Sequence, residues 1–111
     1  MPLLPNAGSA VVPIEKLRDY ALNPEHPVGK HKAKVFEAVL GLTVSDAVFL
    51  QEKILEAVLT NDAMLTRHDE YGQRYTVEFE LTPISRTAVI MTSWILSETE
   101  LAPRLTSCYV K

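Results

Sequence analysis

The feature that most constrains this chain is a change of hydrophobic period near Asn61. Before it, apolar residues return every three or four positions. Ala47, Leu50, Ile54, Ala57 and Val58 gather on one side of a helix. After it, Tyr75, Val77, Phe79 and Leu81 alternate with Thr76, Glu78, Glu80 and Thr82, the pattern of a strand with one face in a core and one in water. Helical segments all precede strands, with no helix-strand alternation and no internal repeat, so the expected fold class is α+β, with N-terminal helices packed on a four-stranded antiparallel sheet. At 111 residues the chain fits one domain, 1–111, divided into an extended lead-in (1–13), a helical part (14–60) and a sheet (63–110).

Punctuation residues set the finer boundaries. Pro2, Pro5, Gly8 and Pro13 oppose regular structure in the lead-in, and Pro13 introduces a short amphipathic helix with Ile14, Leu17 and Tyr20 on one side. Asn23 to Gly29 carries Pro24 and Pro27 and must be a stiff loop. A second helix is expected from Lys30 to Leu40, ended by Gly41 in a left-handed conformation. Thr43 or Ser45 can cap the third helix, and Asp46 stands where a capping box needs its acid. In the second half, Ala63 to Arg67 pairs across the Asp69 to Gly72 turn with the Tyr75 to Leu81 strand. Thr87 to Leu96, almost free of charge, is a central strand, and Leu105 to Val110 is the last. Strict alternation there puts Leu105, Ser107 and Tyr109 on one face, with Thr106 and Cys108 on the other.

Composition narrows the function classes. Cys108 is the single cysteine, so no intramolecular disulfide can form, and a reducing, cytoplasmic setting is the expectation. A toxin domain cut from a larger secreted chain would have the same composition. No stretch approaches the roughly 18 apolar residues of a membrane span, and no membrane partner is expected. The net charge of −3 gives no global attraction to a polyanion, so RNA binding would need a local basic surface.

Such a surface is present. His26, Lys30, His31, Lys32 and Lys34 fall within nine positions with no acidic residue between them, so that a phosphate can meet an imidazole that exchanges protons near neutral pH. A solvated helix start accounts for the same residues. On the last strand, Ser107 and Tyr109 offer two hydroxyls close to Arg104, although Thr and Tyr also favour sheets for packing reasons alone. Glu78 and Glu80 read as a solvent face, His68 as a surface residue, Trp94 as a core aromatic and Cys108 as a small buried hydrophobe. No metal-ligand spacing, phosphate loop or nucleophile elbow occurs, so neither a metal nor a cofactor is expected.

Ordered motifs add a resemblance. Leu4-Pro5-Asn6, Leu17-x-x-Tyr20-x-Leu22-Asn23-Pro24-x-His26-Pro27-Val28-Gly29, Lys32-Ala33-Lys34-x-Phe36, Gly72-x-x-Tyr75-x-Val77, the Arg86 to Ile95 strand and Pro103-Arg104-Leu105-x-Ser107-x-Tyr109 together resemble a bacterial domain family of unknown function. Its members occur as short free-standing proteins and as C-terminal domains of polymorphic toxins. The family context is similar to the group of metal-independent ribonucleases that includes barnase-like, colicin-like and RelE-like toxins. The resemblance implies a site built from His26, Lys32, Lys34, Arg104, Ser107 and Tyr109, acting on RNA by 2′-hydroxyl attack on phosphate, with His26, or His31 of the basic run, exchanging the proton. Ser107 stands where relatives more often have Thr, which keeps the hydroxyl, and Val110 replaces a motif proline. The alternative is a non-catalytic binding, immunity or adaptor protein whose partner is a cognate toxin, and a third reading is an inactive member that keeps the fold. Strand order, RNA substrate and oligomeric state are left open, the last because an edge strand can also pair with a second copy.

Overall fold

Helix starts and stops follow this punctuation in the computed structural model, which describes residues 2–111. After Pro13, α1 (Ile14–Lys16) widens into a π turn (Leu17–Ala21), closed by the Leu22 N–H donating to the Leu17 carbonyl at 2.9 Å. Leu17 and Ala21 point into the core. The next helix, α2 (Lys30–Val35), also ends in a π turn (Phe36–Leu40), and Gly41 stops it at φ 72°, a conformation that costs a residue without Cβ little. A 3₁₀ turn (Val44–Asp46) leads into α3 (Ala47–Ala57), where the Asp46 carboxylate accepts the Thr43 N–H at 2.9 Å. Ala47, Leu50, Ile54 and Ala57 form the buried stripe of α3, as their spacing requires.

The sheet is a meander. Strands β1 (Ala63–Asp69), β2 (Gly72–Leu81), β3 (Ala88–Leu96) and β4 (Arg104–Val110) lie in the order β1-β2-β3-β4, each antiparallel to its neighbour. One face carries Val77, Phe79, Leu81, Ile90, Trp94, Leu105 and Cys108, which join the buried residues of the helices in one core. Thr92 is the buried polar member of that face. Its hydroxyl donates to the Val77 carbonyl at 2.7 Å and accepts the Trp94 indole N–H at 2.8 Å, so two polar groups with no access to water satisfy each other. The other face presents Glu78 and Glu80 to solvent.

Two features depart from the sequence-based expectation. The lead-in is tied to the sheet at both ends: the Pro2 carbonyl accepts the Ala63 N–H, Val11 donates to the Pro103 carbonyl, and Leu105 donates to the Val11 carbonyl. Val11 thereby forms a parallel bridge with Arg104, while Leu4 and Val12 enter the core. The second departure is in β4. Trp94 pairs with Leu105 but Ser93 pairs with Ser107, so Thr106 is an extra residue in the strand. This bulge changes the alternation. Leu105 and Cys108 oppose Trp94 and Thr92 on the core face, whereas Ser107 and Tyr109 oppose Ser93 and Met91 on the other. Strict alternation is thus corrected: Ser107 and Tyr109 do share a face, but Leu105 is not on it.

Gly29 fixes how α2 meets α1. A Cβ at this position would collide with the carbonyl oxygen of Tyr20, so the two backbones approach as only glycine permits. Gly29→Ala is expected to lower unfolding free energy by about 1–3 kcal/mol, the usual range for overpacking, measured by urea denaturation. The Cys108 thiol, almost entirely buried, is pushed up to about 12 by desolvation, with nearby Lys32 opposing the shift. A raised folded-state value stabilises the fold below the unfolded thiol range, so this contribution should be lost as pH rises from about 9 toward 12. Native protein should therefore resist a thiol reagent at pH 8 and react fully once unfolded.

Candidate active site

The basic run and the last strand meet at the edge of the sheet through one lysine. From α2, Lys32 places its Nζ 5.1 Å from the ring centre of Tyr20, on the π turn after α1, and 5.8 Å from the ring centre of Tyr109, on β4. Both are cation–π distances, so the ammonium is drawn toward two aromatic faces that also hold hydroxyls. The Tyr20 ring in turn meets the His26 ring edge-on, with centroids 4.6 Å apart. Three elements and one loop therefore bring His26, Tyr20, Lys32 and Tyr109 together. His31 completes the wall of a shallow cleft of about 270 Å³ whose other lining is Lys32, Val35, Tyr109 and Val110.

His26 has a defined local task. Its Nδ1 accepts the backbone N–H of Val28 at 3.0 Å and that of Gly29 at 2.9 Å, holding the last turn of the loop as it enters α2. Both donors belong to the turn just ahead of α2, and the ring satisfies them where the described residues offer no other acceptor. With Nδ1 occupied, Nε2 is the ring nitrogen left for a ligand.

Charge pairing sets α2 apart from the rest of the surface. Arg18, Lys53, Arg67, Arg74, Arg104 and Lys111 each have a carboxylate within salt-bridge range. Among the described residues, the Lys and Arg side chains without such a partner are Lys16, Lys30, Lys32, Lys34 and Arg86. Three of these five are on α2, which makes its surface the place where an added anion would displace no carboxylate.

The remaining sequence-predicted residues lie elsewhere. Lys34 faces a second groove, together with Lys30, on the far side of α2 from β4. Arg104 begins β4 and is engaged with Glu100 at 3.8 Å. Ser107 opens onto the solvent face of the sheet, in a polar basin of about 530 Å³ shared with Arg67, Arg74, Thr76, Ser93 and Thr106. In that basin both arginines lie against Asp69, Arg74 at 3.0 Å and Arg67 at 3.5 Å. The Tyr71 N–H, with Arg74 and Arg67 adding to it, holds the Asp69 carboxyl below its ordinary range. His68 is exposed beside Glu98, and among the described residues no group of three His, Cys, Asp or Glu side chains is arranged to hold a metal ion.

Tyr20 is the member of this cluster that spacing alone did not single out. At the sequence level it reads as the apolar face of a short helix, and its motif partner is six residues away at His26. The signal was available in that pairing, since an aromatic and an imidazole flank a proline-bearing loop that must turn tightly.

Residues 3–111 match the family model described as "Domain of unknown function (DUF6883)". No curated protein matches the chain. Among solved structures, the fold is similar to a chain of the contact-dependent growth inhibition toxin–immunity protein complex from Klebsiella pneumoniae 342, with a TM-score of 0.69 and 16% sequence identity, over 92% of this chain and 100% of that one. At that identity the likeness is one of fold.

The contribution of the His26 ring to the turn ahead of α2 is directly measurable. His26→Ala should reduce stability by about 1 kcal/mol, the usual net worth of an intramolecular hydrogen bond, while His26→Asn should recover part of it because its side-chain oxygen can accept the same N–H groups. Urea midpoints of the three proteins check this.

Proposed function

Because the chain belongs to the DUF6883 family and holds one lysine, without a carboxylate partner among the described residues, between two tyrosines, we propose that it is an endoribonuclease of bacterial toxin type. The reaction is attack of a ribose 2′-oxygen on the adjacent phosphate, forming a 2′,3′-cyclic phosphate and releasing a 5′-hydroxyl. One proton leaves the attacking hydroxyl and one joins the departing oxygen, and His31, on the cleft wall, is the imidazole that exchanges them. Lys32 neutralises charge developing on the phosphorane. Tyr109 orients the phosphate through its hydroxyl, and His26 and Tyr20 keep Lys32 in place. All steps use side chains of this chain, and Lys34, Arg104 and Ser107 stand outside the reacting centre.

The observation that carries this reading is the position of Lys32 between Tyr20 and Tyr109. Its ammonium is fixed by aromatic faces rather than by a carboxylate, so its charge is available to a phosphate. The fold likeness to a chain of a toxin–immunity complex supports a place in a toxin system. A second reading, that of an immunity or adaptor protein, is motivated by that complex containing both kinds of chain and by the net charge of −3.

Purified protein incubated with total RNA in EDTA should produce fragments ending in cyclic phosphate. Lys32→Ala should slow this by on the order of 10²-fold, the usual cost of one well-aimed charged donor, and Tyr109→Phe should slow it less. RNA left intact at high protein concentration, together with unimpaired growth of cells expressing the chain, would rule out the ribonuclease and favour the binding protein.

A further inference from the structure

A second groove adjoins the proposed cleft across the ridge formed by His31, which lines both. Its volume is about 540 Å³, and its lining is largely apolar, with Leu22, Pro24, Leu42 and Val44. Lys30 and Lys34, one turn apart on α2, line its helical wall, and Thr43 and Ser45, whose hydroxyls are 3.0 Å from each other, line it from the segment leading into α3. Glu37 is the only carboxylate residue in the lining and lies beyond Lys34 from Lys30, at the far end of the helical wall.

Resting on the ribonuclease reading, we propose that this groove holds the nucleotide next to the scissile phosphate. Its volume falls within the 300–1,000 Å³ range of small-molecule sites. An apolar lining with a cationic wall matches a nucleotide, which has a flat, weakly hydrated base joined to an anionic phosphate. Neither Lys30 nor Lys34 has a carboxylate partner among the described residues, so the wall is complementary to a polyanion without rearrangement. Glu37 disfavours phosphate at its own end and directs it toward Lys30 and the His31 ridge. Continuity through His31 gives the chain of an RNA a path from groove to cleft. Lys34, which lies outside the reacting centre, thereby acquires a role in substrate binding.

The test separates binding from cleavage. A fluorescent five-nucleotide RNA with 2′-O-methyl riboses cannot attack its own phosphates, and its affinity for the wild-type chain is read by anisotropy across a salt series. The double variant Lys30→Gln/Lys34→Gln should bind about 10-fold more weakly and lose roughly 1.4 from the slope of log affinity against log salt, about 0.7 for each phosphate contact removed from a single strand. Val44→Trp fills the groove without changing charge at a site that is 38% exposed, and it should weaken binding several-fold while keeping the slope. Wild-type binding that is absent, or that both variants leave unaltered, overturns the proposal, as does a groove that captures an acidic peptide in place of RNA. Groove-dependent binding without cleavage of unmodified RNA would sink the ribonuclease alone, whereas cleavage by a chain whose groove variants bind normally would sink the groove alone.

Discussion

The approach of α2 to the end of α1 is the constraint on which the candidate site depends. Gly29 lies against the Tyr20 carbonyl with no room for a side chain, and the His26 ring takes the N–H groups of Val28 and Gly29. Those contacts fix the loop from Asn23 onward, and with it the direction in which Lys32 leaves the helix. Without them the cation would lie on an ordinary solvated helix. With them it lies over Tyr20 and reaches Tyr109 on a strand far away in sequence.

The sheet contributes its edge. β4 is the last strand of the meander, so a side chain on it can be reached from the helical layer around the rim as well as from the solvent face. The Thr106 bulge turns Ser107 and Tyr109 to the face opposite Leu105, and the two hydroxyls then serve different surroundings. Tyr109 meets α2, while Ser107 opens into the arginine basin. Two polar sites thus lie along one strand, and the core face behind them stays apolar except for the Thr92–Trp94 pair.

What could be read in the sequence was what local physics decides. The period change near Asn61, the left-handed stop at Gly41, the acid at Asp46 and the alternation from Tyr75 to Leu81 each act over a few residues, and each appears where expected. The bulge was illegible because Leu105 to Tyr109 alternates without a glycine or other mark of an extra residue. The bonds of Pro2 and Val11 to the sheet join distant segments through backbone groups, which carry no residue code. The candidate site was legible in part. Charge clustering pointed to Lys32 and His31, but only the fold could show that Lys34, Arg104 and Ser107 diverge from them and that Tyr20 joins.

The meander with its N-terminal arm also implies an order of assembly. Each strand pairs only with the next in sequence, so the sheet can form by closing three short loops, the kind of local contact that makes folding fast. The arm has no such freedom, because Val11 bridges Arg104 and its partner does not exist until the final strand is in place. Val12, the core residue beside that bridge, is therefore locked against the sheet only once β4 has docked, so the arm closes the fold rather than nucleating it.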